Sequence, residues 1–93
     1  MKHHDLKLHT SCFQDVVDCV KRAETRYNDR DYAVGDTLTF KEGVSEDGDF
    51  IYTGRSVSAK INHINTLGMQ EGWMCLSLAK VGILIIKDGE DDA

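Results

Sequence analysis

Apolar side chains recur at every second position along most of this chain and at helical spacing only once. From Asp5 to His9, Leu6 and Leu8 alternate with Lys7 and His9, the period of a short strand with one buried face. Phe13, Val16, Val17 and Val20 then fall at i, i+3, i+4 and i+7, which predicts an amphipathic helix. Ser11 with Gln14 three residues on has the form of a capping box, and the expected helix covers about 11–21. Alternation resumes over Ala23–Tyr27, where Ala23, Thr25 and Tyr27 are expected to pack inward while Glu24, Arg26 and Asn28 project from the other face.

Asn28-Asp29-Arg30-Asp31 predicts a turn, because Asn and Asp side chains bond to nearby backbone. Val34-Gly35-Asp36 makes a second turn into Thr37–Glu42, where Leu38 and Phe40 alternate with Thr37, Thr39 and Lys41. Gly43 to Asp49 reads as a hairpin loop, and Phe50 to Thr53 opens a returning strand that Gly54 and Arg55 interrupt. Gly54 permits a bulge that would aim Arg55 toward the face of Arg26. Val57, Ala59 and Ile61 restore the alternation through about Ile64, and Asn65 to Gly72 forms a connection. Trp73–Leu78, with Met74, Leu76 and Leu78 on one face, and Val81–Ile86 complete the set. Five to six strands with one firm helix predict an α+β fold, a small and mainly antiparallel β-barrel.

A chain of 93 residues has room for one small core. Residues 1–87 are therefore expected to form a single domain, and residues 88–93, four acids without a base, an acidic flexible tail. The net charge of −5 falls to −1 for residues 1–87 once those four acids are set aside. Residues 1–30 carry six Lys or Arg against five Asp or Glu, whereas residues 31–93 carry five against eleven. A broad electropositive surface is excluded, but a local basic groove near the N-terminal half is not.

The longest apolar run, Val81 to Ile86, is about a third of a bilayer span, and the N-terminus reaches polar residues too early for a secretion signal. A cytoplasmic location is the expectation. Three cysteines agree with it: Cys12 and Cys19 lie about 10 Å apart along a helix, too far for a disulfide, and Cys75 sits in an apolar run as a small hydrophobe. No cofactor or metal set emerges. His3 and His4 point to opposite faces of a strand, and the acids of 46–49 and 88–92 lack the spacing of a calcium loop.

The densest chemistry lies between Lys21 and Arg30, with four bases, two acids and an amide in ten residues. Lys21, Arg26 and Arg30 suit phosphate or carboxylate oxygens, and Glu24 and Asn28 suit donor groups or the orientation of the cations. The alternative is a surface strand whose charges pair across the sheet for about 0–1 kcal/mol. Trp73 either stacks a base or packs at the core edge.

His4-x-Leu6-Lys7, Lys21-x-x-Glu24-x-Arg26, Asn28-Asp29-Arg30-Asp31, Val34-Gly35-Asp36, Tyr52-Thr53-Gly54-Arg55 and Gly72-Trp73 occur in that order. Together they resemble an ASCH-type domain, more narrowly a small bacterial and phage group of unknown function, over roughly residues 3–80. The resemblance implies a PUA-like barrel with a cleft between barrel and helix for RNA or a modified nucleoside. It carries a Gly-Lys-Glu-Arg signature onto Cys19, Lys21, Glu24 and Arg26, with Cys19 departing from it. A cysteine there either strains a left-handed helix terminus by about 1 kcal/mol or lets the helix run on a turn.

The expected function is RNA or nucleotide-like ligand binding through Lys7, Lys21, Glu24, Arg26, Asn28, Arg30, Arg55 and Trp73. One alternative is a hydrolase of the same fold acting on a modified nucleoside or RNA through Lys21 and Glu24. A third is a protein-interaction domain whose acidic tail engages a basic partner.

Overall fold

The computed structural model describes residues 1–85, with side chains to residue 80. The expected acidic tail at 88–93 lies outside the described residues. Five strands and one helix follow the chain as β1 (His3–His9), α1 (Thr10–Val17), β2 (Ala23–Tyr27), β3 (Thr37–Glu46), β4 (Asp49–Asn65) and β5 (Trp73–Ile85). They form one mixed sheet in the order β1-β3-β4-β5-β2. β1 runs parallel to β3, and every other pair is antiparallel.

The expected barrel is not formed as such. β1 and β2 are the two edges of the sheet, and no ladder joins them among the described residues. Two boundaries also differ from the sequence reading. The β3–β4 hairpin turns in two residues, Asp47 and Gly48, at φ 51° and 84°, the type I′ geometry that follows the twist of the flanking strands. The strands therefore extend into what reads as loop. β5 is a single continuous strand from Trp73 to Ile85 that joins the two predicted apolar runs, because a register shift between Ser58 and Ala59, which pair with Gly82 and Lys80, is absorbed without ending the strand.

Even-numbered residues of β1 and β3 face the core: Leu6 and Leu8 lie beside Phe40, Leu38 and the helix residues Phe13 and Val16. Tyr32, Val57, Ala59, Ile61, Met74, Leu76 and Leu78 complete the same cluster. α1 packs on β1, β3 and β5 and buries Phe13 and Val16, whereas Val20 is 73% exposed. The helix is shorter than the apolar stripe suggests. Its N-cap is His9, whose Nδ1 accepts the Ser11 amide hydrogen bond at 3.1 Å. β1 continues to His9 and leaves no room for Ser11 to cap.

The helix ends in a Schellman turn. The Val20 amide donates to the Asp15 carbonyl at 2.8 Å and the Cys19 amide to Val16 at 3.1 Å, with Cys19 in the left-handed region at φ 61°. Of the two outcomes considered for a cysteine at this position, the chain takes the strained terminus. Lys80 Nζ donates to the Val17 carbonyl at 2.6 Å and Arg22 Nε to the Cys19 carbonyl at 2.9 Å, so cations satisfy the exposed end. Cys19→Gly is expected to raise stability by roughly 0.5–1 kcal/mol, the relief of left-handed strain less the extra freedom of the unfolded chain. A urea midpoint that stays put or falls would count against a strained Cys19.

The 28–36 segment is tied down by a buried carboxylate. Asp36 is 2% exposed and accepts from His4 Nε2 at 2.9 Å, from the Lys2 amide at 3.0 Å and from the Ala33 amide at 3.0 Å. The imidazole bond, the Lys2 amide and the Ala33 amide together pull its pKa down to about 2, against the desolvation of its site. Arg55 and Thr53 likewise lower the pKa of buried Glu42. Folded-state pKa values below the unfolded ones give stability that is complete above about pH 4 and lost as pH falls toward 2. Asp36→Asn is expected to lower the thermal midpoint at pH 7 and to flatten its decline between pH 4 and 2. An equally steep acid limb in the variant would show that Asp36 is not a principal acid-sensitive group.

Candidate functional site

β2 has only a weakly apolar face, Ala23, Thr25 and Tyr27, and its orientation is decided by charge. Ala23, Thr25 and Tyr27 are exposed and Glu24 is buried, the reverse of the inward packing expected for the first three. Register explains it: Glu24 lies opposite core Leu76 and Arg26 opposite core Met74. The cost of burying Glu24 is offset by two cations. Arg26 Nε donates to Glu24 Oε2 at 2.7 Å, and Lys21 Nζ stands 3.1 Å from Glu24 Oε1. Lys21 Nζ also donates to the Ala23 carbonyl at 2.6 Å.

Arg26 reaches further. Its Nη2 donates to the Lys7 carbonyl at 2.7 Å, so the outer edge of β1 is bonded by a side chain from β2 at the opposite edge. The sheet is coiled enough for one arginine to bridge its seam. On either side of that bridge lies a hollow, one of about 380 Å³ lined by Glu24, Arg26, Tyr27, Arg30, Tyr32 and Trp73. The other, of about 340 Å³, is lined by Asp5, Lys7, Arg26, Arg30, Lys41 and Tyr52. Each lies at the lower end of the range for small-ligand sites.

The candidate residues divide into two groups. Lys21, Glu24 and Arg26 meet one another and hold the seam. Asn28 builds the turn, its Oδ1 accepting from the Tyr32 amide at 3.1 Å. Arg30 stands at the junction of the two hollows, with Nε 3.9 Å from Asp29 Oδ1, too far for a strong hydrogen bond. Lys7 faces outward with Nζ 5.5 Å from the Phe50 ring centre. Trp73 is 39% exposed and meets Tyr27 edge to face at 5.8 Å, so it forms a wall of the cleft. Gly72 is required beside it: at φ 84°, a Cβ there would lie 2.5 Å from the Tyr27 ring.

Arg55 goes elsewhere. β4 places Thr53, Gly54 and Arg55 against Glu42 where the ladder shifts between Lys41 and Gly43, so a bulge forms at Gly54 but aims Arg55 at Glu42. Arg55 binds both Glu42 oxygens at 2.8 Å and lies 4.8 Å from the Phe13 ring centre. Thr53 Oγ1 donates to the same carboxylate at 2.6 Å. This bidentate pair braces the hairpin bulge, the guanidinium over Phe13 links it to the helix, and it shares no residue with the Glu24 network in these bonds.

Three cleft residues escape the sequence reading. Lys41 sits beside Lys7 in the parallel β1–β3 register, a like-charge pair relieved in part by Asp5 at 3.6 Å from Lys41 Nζ. Tyr52 and Tyr32 line the two hollows. Only the β1–β3 pairing, across more than thirty residues of sequence, brings Lys41 to this place. A further hollow of about 280 Å³ beneath the helix end, lined by Val16, Cys19, Leu78 and Lys80 among others, is where the expected barrel–helix cleft falls. Of the candidates it contains only Lys21.

Fold and site together define a small α+β domain: a coiled mixed sheet, one short helix and a polar cleft at the sheet's open seam. Residues 3–78 match the family described as Domain of unknown function (DUF3850), and the chain belongs to that family. It is 42% identical over 66 residues to a protein of Escherichia phage P2 described as "Uncharacterized 12.9 kDa protein in GpA 3'region". The match covers 71% of this chain and 57% of the phage protein, so the chain spans little more than half of that relative. These similarities agree with the narrower resemblance, to a phage and bacterial group of unknown function. Among the described residues, no helix is long and apolar enough to cross a membrane.

Glu24→Ala is expected to leave Lys21 and Arg26 facing each other without their carboxylate and to lower stability by roughly 1–3 kcal/mol, read from urea unfolding. A loss under about 0.5 kcal/mol, the level of an ordinary surface substitution, would remove Glu24 from the role of organiser.

Proposed function

We propose that this domain is a PUA-like, ASCH-type relative that binds RNA or a nucleotide-like ligand along the seam between β1 and β2. The observation that carries the reading is the combination of cations not consumed by the fold with aromatic walls. Arg30 and Lys41 line the cleft with side chains 46% and 48% exposed, and Lys7 beside them is exposed, while Trp73, Tyr27 and Tyr52 offer ring faces or edges beside them. Cations that follow a phosphate backbone and aromatic side chains that stack bases are the two components of single-strand recognition.

Arg26 serves this site by holding the seam, and Lys21 by holding Glu24. The hydrolase alternative requires one of Lys21 and Glu24 to exchange a proton with substrate. Lys21 Nζ is instead committed to Glu24 and the Ala23 carbonyl, which favours binding over hydrolysis.

Titration of a mixed single-stranded RNA pool at several salt concentrations is expected to give a log–log slope of about −2, three phosphate contacts at roughly −0.7 each. Arg30→Ala, Lys7→Ala or Lys41→Ala should each reduce the slope by about 0.7. Trp73→Ala should cost about 1–3 kcal/mol in affinity with little change in slope. Absence of binding at low salt to any RNA or nucleotide overturns the reading.

A further inference from the structure

The Tyr32 hydroxyl is the one buried side-chain polar atom without a hydrogen-bond partner among the described residues. Tyr32 is 6% exposed, and a buried hydroxyl left unbonded costs about 1–3 kcal/mol. A phenylalanine would fill the same space without that cost.

Everything around the ring fixes where the hydroxyl lies. The Tyr32 amide is held by Asn28 Oδ1 at 3.1 Å. The ring meets the His4 imidazole edge to face at 4.8 Å, and His4 is in turn held by Asp36 at 2.9 Å. The side chain lines the same hollow as Glu24, Arg26, Arg30 and Trp73. Its phenol senses the charges of Arg26, Arg30, Asp29 and Glu24, and burial raises its pKa above the ordinary value.

We propose that Tyr32 is a specificity-determining residue of this cleft, donating its O–H to a carbonyl oxygen of a base whose ring rests against Trp73. The inference rests on the RNA-binding reading and adds to it the chemistry of the base. Arg26 is committed to Glu24 and the Lys7 carbonyl, whereas the Tyr32 phenol is a neutral donor without a partner, held in place by its packing against His4. A phenol at neutral pH carries its proton, so its best partner is an acceptor such as an oxo group. Uracil offers carbonyl oxygens that project from its ring, whereas the acceptors of adenine are ring nitrogens set back in its edge, farther from a buried hydroxyl.

The test compares oligouridylate and oligoadenylate of equal length on wild type and Tyr32→Phe at one low salt concentration, with thermal melts of both proteins. The variant is expected to lose about fivefold or more in affinity for oligouridylate, the worth of about one hydrogen bond, and to bind oligoadenylate as wild type does. Its melting temperature without RNA should equal or exceed that of wild type, because an unbonded hydroxyl has been removed.

Unchanged oligouridylate affinity overturns the inference. So does an equal loss on both oligomers, which would mark a general effect on the cleft, and so does a fall in melting temperature, which would reveal a bonding role within the fold. In each of these cases binding by wild type leaves the RNA reading standing. Failure of wild type to bind either oligomer or the mixed pool overturns both.

Discussion

The architecture depends on bringing the two edges of a five-stranded sheet close enough for one arginine to join them. Arg26 on β2 bonds Glu24 on its own strand and the Lys7 carbonyl on β1. A strand edge presents unpaired amides and carbonyls that invite further pairing. Here a guanidinium occupies one of those carbonyls and leaves the seam as a groove instead of a hydrogen-bonded wall. Had the ladder closed, the two hollows beside Arg26 would have been filled by paired backbone.

The same economy of charge recurs at two other joints. Glu42 braces the hairpin bulge through Arg55, which also lies over Phe13 of the helix, and Asp36 ties the 28–36 segment to β1 through His4. All three carboxylates are under 10% exposed, and each is supplied with several donors, the condition under which a buried charge is tolerable. This arrangement sorts the basic residues by physical role. Arg26, Arg55 and Lys21 face buried carboxylates and shape the molecule, whereas Arg30, Lys7 and Lys41 stand at the cleft with weak or distant partners. A functional reading based on the density of charge in the sequence mixes the two groups, because both look alike until their partners are in place.

Much of the secondary structure was legible in the sequence. Strand alternation located β1, β3 and the second half of β4 with the correct inward residues, and Met74, Leu76 and Leu78 were placed on the core face. The hairpin loop was read too long because Gly43 and Ser45 look like turn residues, yet Asp47 and Gly48 alone supply the left-handed pair the turn requires. The orientation of β2 was reversed. Ala23, Thr25 and Tyr27 are the more apolar set, but burial was decided by Glu24 finding two cations and Arg26 finding β1. Of the candidate site, Arg30 and Trp73 do line the cleft, Arg55 belongs to another network, and Lys41, Tyr32 and Tyr52 were missed.

By itself the sequence determined the local state of the backbone and, wherever apolar residues alternate, the face that turns inward, since both follow from periods of a few residues. Its short ordered motifs also pointed to a phage and bacterial group of unknown function, in agreement with the family match. Only the tertiary structure decided which strands are neighbours, how far the sheet coils, and which cations are consumed by buried carboxylates. Those outcomes rest on contacts between residues 19 to 34 positions apart, whose free energy depends on geometry that no local pattern encodes. The cleft is such an outcome. Lys7 from β1, Arg30 from the turn, Lys41 from β3 and Trp73 from β5 acquire a common surface only when the seam is drawn together and held short of closure.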